Sequence, residues 1–225
     1  MANIVIIGGH GKVALLSEPL LVRAGHQVTA VIRNQEQFPS VESTGAKPVL
    51  LNIHSASTAQ LKQVFEEANA DTIVWTAGAG GGDASRTLGV DLHAAVRSID
   101  AATEAGVKRY VMVSYLGSGA GHRVDEDHSF YAYETAKAVA DAYLRDSDLQ
   151  YTILGPGTLL EEDFDGIEVN LNPENAGTSR QLVAEVIAAC IADDSTIGKA
   201  IPFSNGSDEV VAAVAAAPQR SNFRK

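Results

Sequence analysis

Asn3-Ile4-Val5-Ile6-Ile7-Gly8-Gly9-His10-Gly11-Lys12-Val13-Ala14-Leu15-Leu16 decides the fold. Ile4 to Ile7 is a β-branched apolar run, and an apolar helical pattern starts at Val13. The glycines between them mark a tight strand-to-helix turn. Such a turn aims backbone N–H groups and the positive end of a helix dipole at one point, which suits a pyrophosphate. The pattern is Gly8-x-x-Gly11-x-x-Ala14, and a Cβ at these positions would obstruct the phosphates or the packing of helix on strand. Gly8, Gly9, His10, Gly11, Lys12 and Val13 are therefore expected to bind a dinucleotide, with His10 shaping the site.

Working outward, β-branched runs alternate with helical segments through most of the chain, the pattern of a parallel sheet covered by helices on both faces. The spacing predicts strands at Ile4–Ile7, Gln27–Ile32, Pro48–Asn52, Thr72–Thr76, Arg109–Ser114, Gln150–Leu154 and Ala200–Phe203. Helices are expected at Lys12–Ala24, Ala59–Ala68, Leu88–Ala105, Tyr131–Asp146 and Ser179–Asp193. The fold class is α/β, a Rossmann-type doubly wound sheet. Residues 1–217 read as one domain, with a smaller substrate-side region at 158–217 and a flexible tail at 218–225. Gly117–Ser129 and Thr158–Gly177 lack periodicity and leave strands at their carboxyl ends, where a doubly wound sheet places its ligand crevice. Both are expected to rim a substrate pocket.

Composition narrows the function. The chain has 225 residues, 45% hydrophobic and 20% charged, which describes one globular domain rather than a disordered chain. A formal net charge of −11 argues against nucleic-acid binding, which needs clustered Lys and Arg. Arg220, Arg224 and Lys225 form a basic cluster in the tail. No apolar run approaches the ~20 residues of a membrane span, and the N-terminus reads as a strand rather than a leader, so a cytoplasmic location is expected. The single Cys190 sits in an apolar helical run and excludes an internal disulfide framework. His10, His26, His54 and His93 are scattered, and His122 and His128 flank Asp125, Glu126 and Asp127 without a metal-site spacing, so no metal is expected. A Gly-x-Ser-x-Gly elbow is absent, which argues against an α/β-hydrolase.

The second strand ends in Arg33-Asn34, where a site for the unphosphorylated cofactor usually carries an acid. A guanidinium there pairs with a 2′-phosphate and stacks on adenine, so NADP is expected over NAD. Thr76, Ala77 and Gly78 let the chain pass close to the ribose and pyrophosphate, while Gly80 to Gly82 read as a flexible tip. Tyr133 and Lys137 lie one helical turn apart on one face. The ammonium is expected to lower the phenol's pKa, so that Tyr133 exchanges a proton with a substrate oxygen.

These motifs, with Ala105-Gly-Val-Lys-Arg-Tyr-Val-Met-Val-Ser114 and Gly155-Pro156-Gly157, resemble the short-chain dehydrogenase/reductase superfamily over nearly the whole chain. The similarity is to its atypical NAD(P)H-binding branch, related to NmrA-like proteins and NAD(P)-dependent epimerases. The resemblance implies a nicotinamide cofactor and a catalytic set of Ser114, Tyr133 and Lys137, with Lys137 also holding the nicotinamide ribose. It adds Asn52, the adjoining Ile53, Pro156 and Gly157 to the cofactor contacts. Three positions depart from the pattern. Tyr115 stands where a second serine is usual, Asn52 where Asp is common, and Gly155 where Arg is common.

The expected function is NADP(H)-dependent hydride transfer to a small carbonyl, enone or quinone-like substrate. Two alternatives stand beside it: a non-catalytic NADP(H) sensor, favoured by Tyr115, and a sugar-nucleotide epimerase or dehydratase, disfavoured by the short C-terminal region. A small-molecule substrate and a possible homodimer complete the expected partners.

Overall fold

The computed structural model describes residues 1–80, 83–119, 124–172, 176–221 and 223. Gly81, Gly82, His122, Arg224 and Lys225, named above, lie outside them. The strands are β1 (Asn3–Ile7), β2 (Gln27–Ile32), β3 (Lys47–Leu50), β4 (Thr72–Trp75), β5 (Arg109–Val113), β6 (Gln150–Pro156), β7 (Thr158–Leu160), β8 (Gly166–Glu168), β9 (Gly177–Ser179) and β10 (Lys199–Gly206). The helices are α1 (Lys12–Arg23), α2 (Phe38–Glu42), α3 (Thr58–Glu67), α4 (Ala84–Thr87), α5 (Ala95–Glu104), α6 (Tyr131–Arg145), α7 (Arg180–Ala192) and α8 (Val210–Ala215).

The main sheet runs β3-β2-β1-β4-β5-β6-β10-β8, parallel except for the antiparallel edge strand β8. From β1 the chain winds outward through β2 and β3, then returns to the other side of β1 with β4. That reversal opens a crevice beyond the carboxyl ends of β1 and β4. Alternate side chains of the central strands feed two cores. Ile4 and Ile6 pack with α1 and α7 residues, while Val5, Ile7, Trp75 and Met112 pack with α3, α5 and α6 residues. Burial on both faces explains why the strands read as unbroken apolar runs.

Several elements differ from the sequence reading. The helix expected over Leu88–Ala105 is three pieces: α4 begins at Ala84, Leu88–Ala94 is a π-helical segment, and α5 follows. The third strand stops at Leu50, which leaves Asn52 in the loop beyond it. Thr158–Gly177 is not wholly irregular. It contains β7 and β8 and meets β9, where β7 and β9 form a separate two-stranded sheet. α2 and α8 were not foreseen.

The tail is also corrected. Ala217 and Phe223 are buried, the Ala200 N–H donates to the Arg220 carbonyl at 2.6 Å, and the Phe223 ring lies against Gly155. Aromatic burial of this size anchors a chain end.

Candidate functional site

At the crevice the residues after β1, β2 and β4 line a cleft of about 900 Å³. Gly8, His10, Gly11 and Lys12 come from the first loop, Arg33 from the end of β2, Asn52 and Ile53 from the loop after β3, and Thr76, Ala77 and Gly78 from the loop after β4. Gly8 has φ +89° and a Cβ there would lie 2.7 Å from the Ala77 backbone, so only glycine fits. The Gly11 N–H donates to the Gly8 carbonyl at 2.8 Å, which closes the turn. α1 then starts at Lys12 with no side-chain cap and no acid in its first turn. Its terminal N–H groups are thus not capped by a side chain of the helix itself, as a pyrophosphate site requires. The cradle fits a dinucleotide.

Gln37 ties the ribose end of the cleft together. Its amide oxygen accepts from the Arg33 and Asn34 N–H groups at 3.2 and 3.1 Å, and its amide nitrogen lies 3.1 Å from His10 Nδ1. With that nitrogen donating, His10 Nδ1 is the acceptor and Nε2 carries the proton. Lys12 reaches Glu161, just beyond β7, and Arg180 Nη1 lies 3.8 Å from the same Glu161 oxygen. One carboxylate of the acidic Thr158–Gly177 stretch thus meets the first residue of α1 in a largely exposed ion pair.

Other expected contacts do not line this cleft. Gly9 packs under β2, where a Cβ would meet Ala30 at 2.6 Å, and Val13 belongs to the core. Asn34 faces the outer side of the β2 end beside Glu36 and Leu50. Pro156 is buried, its carbonyl accepting from the Leu116 N–H at 2.7 Å, and a Cβ on Gly157 would collide with the Ala176 carbonyl. These residues close the fold around the site.

The second constellation stands on α6. Tyr133, Lys137 and Asp141 follow one another every fourth residue along one helix face. Lys137 is 2% exposed and its ammonium donates to the Val113 carbonyl at 2.8 Å, holding α6 to the end of β5. Ser114 and Ser118 lie 2.6 and 2.5 Å from the same oxygen of Asp141, while the other oxygen has no partner among the described residues. Asp91, buried in the π-helical segment, accepts from the Ala79 N–H at 3.0 Å. Ala79 lines the cofactor cleft, so Asp91 joins the two constellations. π-Helical turns often mark such functional insertions.

This environment corrects the expected tuning of Tyr133. Burial pushes its phenol above the ordinary tyrosine range, and the carboxylates of Asp91 and Asp141 push the same way. Lys137 does not reverse this, because its ammonium is spent on Val113 and on offsetting those two carboxylates. Burial also raises both carboxyls above the usual range, against the pull of Lys137. Tyr133 therefore holds its proton. Its ring lies 5.4 Å from Tyr115 and 4.9 Å from Phe130, forming an aromatic wall at the start of α6.

Asp91, Asp141 and Gln37 were not anticipated. Asp141 had a legible signal, one turn beyond Lys137, whereas Asp91 and Gln37 acquire meaning only from the fold.

Residues 8–194 match the NAD(P)H-binding family. The chain belongs to that family. The family match agrees with the resemblance carried by the glycine loop and the β5 segment. An uncharacterized sugar epimerase, YhfK, from Bacillus subtilis is 32% identical over 216 residues, covering 94% of this chain and 98% of that protein. The oxidoreductase YlbE from Lactococcus lactis superposes with a TM-score of 0.82 at 30% identity, covering 94% of each chain. A structure from Bacillus halodurans, named for the NAD-dependent epimerases/dehydratases, gives 0.81 at 32% identity, covering 95% of this chain and 99% of that one. The family's nicotinamide cofactor fits the cleft described above. No described helix is long and apolar enough to cross a membrane.

Proposed function

We propose that the protein is an NADP(H)-dependent reductase of small carbonyl, enone or quinone-like molecules. The observation that carries this reading is the α6 face, where Tyr133, half-buried, stands one turn before Lys137, whose ammonium is tied to the carboxyl end of β5. A tyrosine is protonated at neutral pH, so it can supply the proton that a substrate oxygen gains in a reduction. When bound, the nicotinamide supplies the hydride. Arg33 and the Nε2–H of His10 hold a 2′-phosphate. The α1 N-terminus takes the pyrophosphate, and Tyr133 gives its proton to the substrate oxygen. Lys137 is a positioning residue that fixes α6 on β5 and offsets the charge of Asp91 and Asp141.

A second reading, a non-catalytic NADP(H) sensor, draws on the Ser114 hydroxyl facing Asp141 rather than an open pocket. Nicotinamide oxidation over a panel of quinones, enones and aldehydes, with NADPH and NADH, separates the readings. Net NADPH consumption supports the reductase. Tight NADPH binding without turnover supports the sensor. Interconversion of a sugar nucleotide without net cofactor consumption overturns both in favour of an epimerase.

A further inference from the structure

The pair of serines on Asp141 poses a problem of proton direction. Each hydroxyl has a single proton. If Asp141 is ionised, Ser114 and Ser118 both donate into its one shared oxygen, and Ser114 has nothing left to offer a substrate. If Asp141 is neutral, its own proton on that oxygen is donated to Ser114 Oγ across 2.6 Å. Ser114 then accepts from Asp141 and its own proton is released from that oxygen, while Ser118 still donates to Asp141. The three groups become a chain of donors ending at Ser114, and such chains strengthen each member by polarisation.

We propose that Asp141 is a positioning residue whose neutral acid form frees the Ser114 proton to polarise the substrate oxygen. This rests on the reductase reading and deepens it. The geometry favours the neutral acid. Asp141 is 1% exposed, one carboxyl oxygen has no partner among the described residues, and no ammonium or guanidinium lies within ion-pair distance of it among those residues. A carboxyl so placed sheds its charge rather than bear the desolvation cost. The charged and titratable groups around it are Tyr133, Lys137 and Arg145 on α6 and Asp91 on the π-helical segment. Further out, Arg86 on α4 acts on Asp91, and Asp100 on α5 is engaged by the Tyr143 hydroxyl at 2.6 Å. Of these, Lys137 and Arg145 favour the ionised form, as do the Ser114 and Ser118 hydroxyls, while burial without an ion-pair partner favours the neutral acid.

The test uses the full chain. An infrared pH titration of the wild type minus Asp141→Asn, without substrate, is expected to show a carboxylic acid band at neutral pH. A carboxylate band alone from pH 6 upward overturns the proposal, whatever the turnover. In steady-state reduction, using the fastest quinone or enone of the panel, the wild-type kcat is expected to fall about tenfold per pH unit once Asp141 ionises. Asp141→Asn, whose amide donates to Ser114 at every pH, is expected to lose that limb. An unchanged limb in this variant overturns the proposal. Should Asp141→Asn not fold, Ser118→Ala decides. It removes one donor to the carboxylate, so the limb must move to higher pH, and a limb that stays or moves lower overturns the proposal. An Asp141 that titrates in a protein that reduces nothing overturns the reductase reading instead, and with it the assignment of the Ser114 proton to a substrate.

Discussion

The cofactor cleft and the α6 constellation lie on neighbouring strand ends but are built from different materials. The cleft is made of backbone: Gly8 against Ala77, the bare start of α1, and a turn closed by the Gly11 N–H. Its specificity is steric and dipolar, so it depends on what side chains leave out. The α6 constellation is made of buried polar side chains, and its behaviour depends on where a few protons sit. A backbone site tolerates no added atom; a proton site tolerates changes of bulk better than changes of charge.

Substitutions can break this contrast, and the largest effect belongs to α6. Tyr133→Phe keeps the ring and removes the proton, so kcat is expected to fall by about 10²–10⁴-fold. NADPH affinity, followed by calorimetry, should stay at the wild-type value. Gly8→Val should do the reverse on the cleft side. With a Cβ 2.7 Å from the Ala77 backbone, NADPH affinity should weaken by about 100-fold or more, roughly 2.7 kcal/mol, by the same calorimetry.

Glu18 sharpens the comparison by placing a proton site inside the cofactor half. It is buried on α1 and its carboxyl is pushed up to about 7 by desolvation, against one hydrogen bond from the Thr44 hydroxyl at 2.8 Å. Above its ordinary value of 4.5 the unfolded chain has lost this proton while the folded chain keeps it up to about 7. Stability must therefore fall as pH rises through that window, by on the order of 3 kcal/mol. Denaturant titrations of Glu18→Gln should lack this fall and leave NADPH affinity unchanged.

Arg33→Ala tests the charged contact at the end of β2. NADPH affinity is expected to drop about tenfold, with NADH affinity held, since a charge-assisted hydrogen bond contributes about 1.5–3 kcal/mol. Gly25→Ala is the smallest. Gly25 shares the positive φ of Gly8, at +88°, but a Cβ there meets nothing within 4 Å. Thermal denaturation should show a loss of about 1 kcal/mol, with cofactor affinity intact.

The same contrast explains what the sequence disclosed. The cleft was legible because its constraints are local: Gly8, Gly11 and the start of α1 are consecutive, and each is fixed by the space the next leaves it. Apart from the edge strand β3, whose ends are exposed, the longer strands were legible because burial on both faces writes them as apolar runs. Three-residue strands such as β8 carry too few residues to set a period. The π-helical segment was hidden for a related reason, since one extra residue per turn shifts the pattern without erasing it. A lone Asp in a helix reads as solvated surface until the fold shows what covers it, as it does at Asp91 and Asp141. The expected lowering of the Tyr133 pKa failed because spacing locates the ammonium of Lys137 but not the two carboxylates that oppose it.

Gly155 and Phe223 share one volume: a Cβ on the first would lie 2.7 Å from the ring of the second. Resembling proteins commonly place an arginine at the Gly155 position, and that side chain and this ring exclude each other. In this chain the ring therefore takes the room that a side chain at Gly155 would need. Phe223 should therefore be judged as part of the interior beside β6 and not as surface.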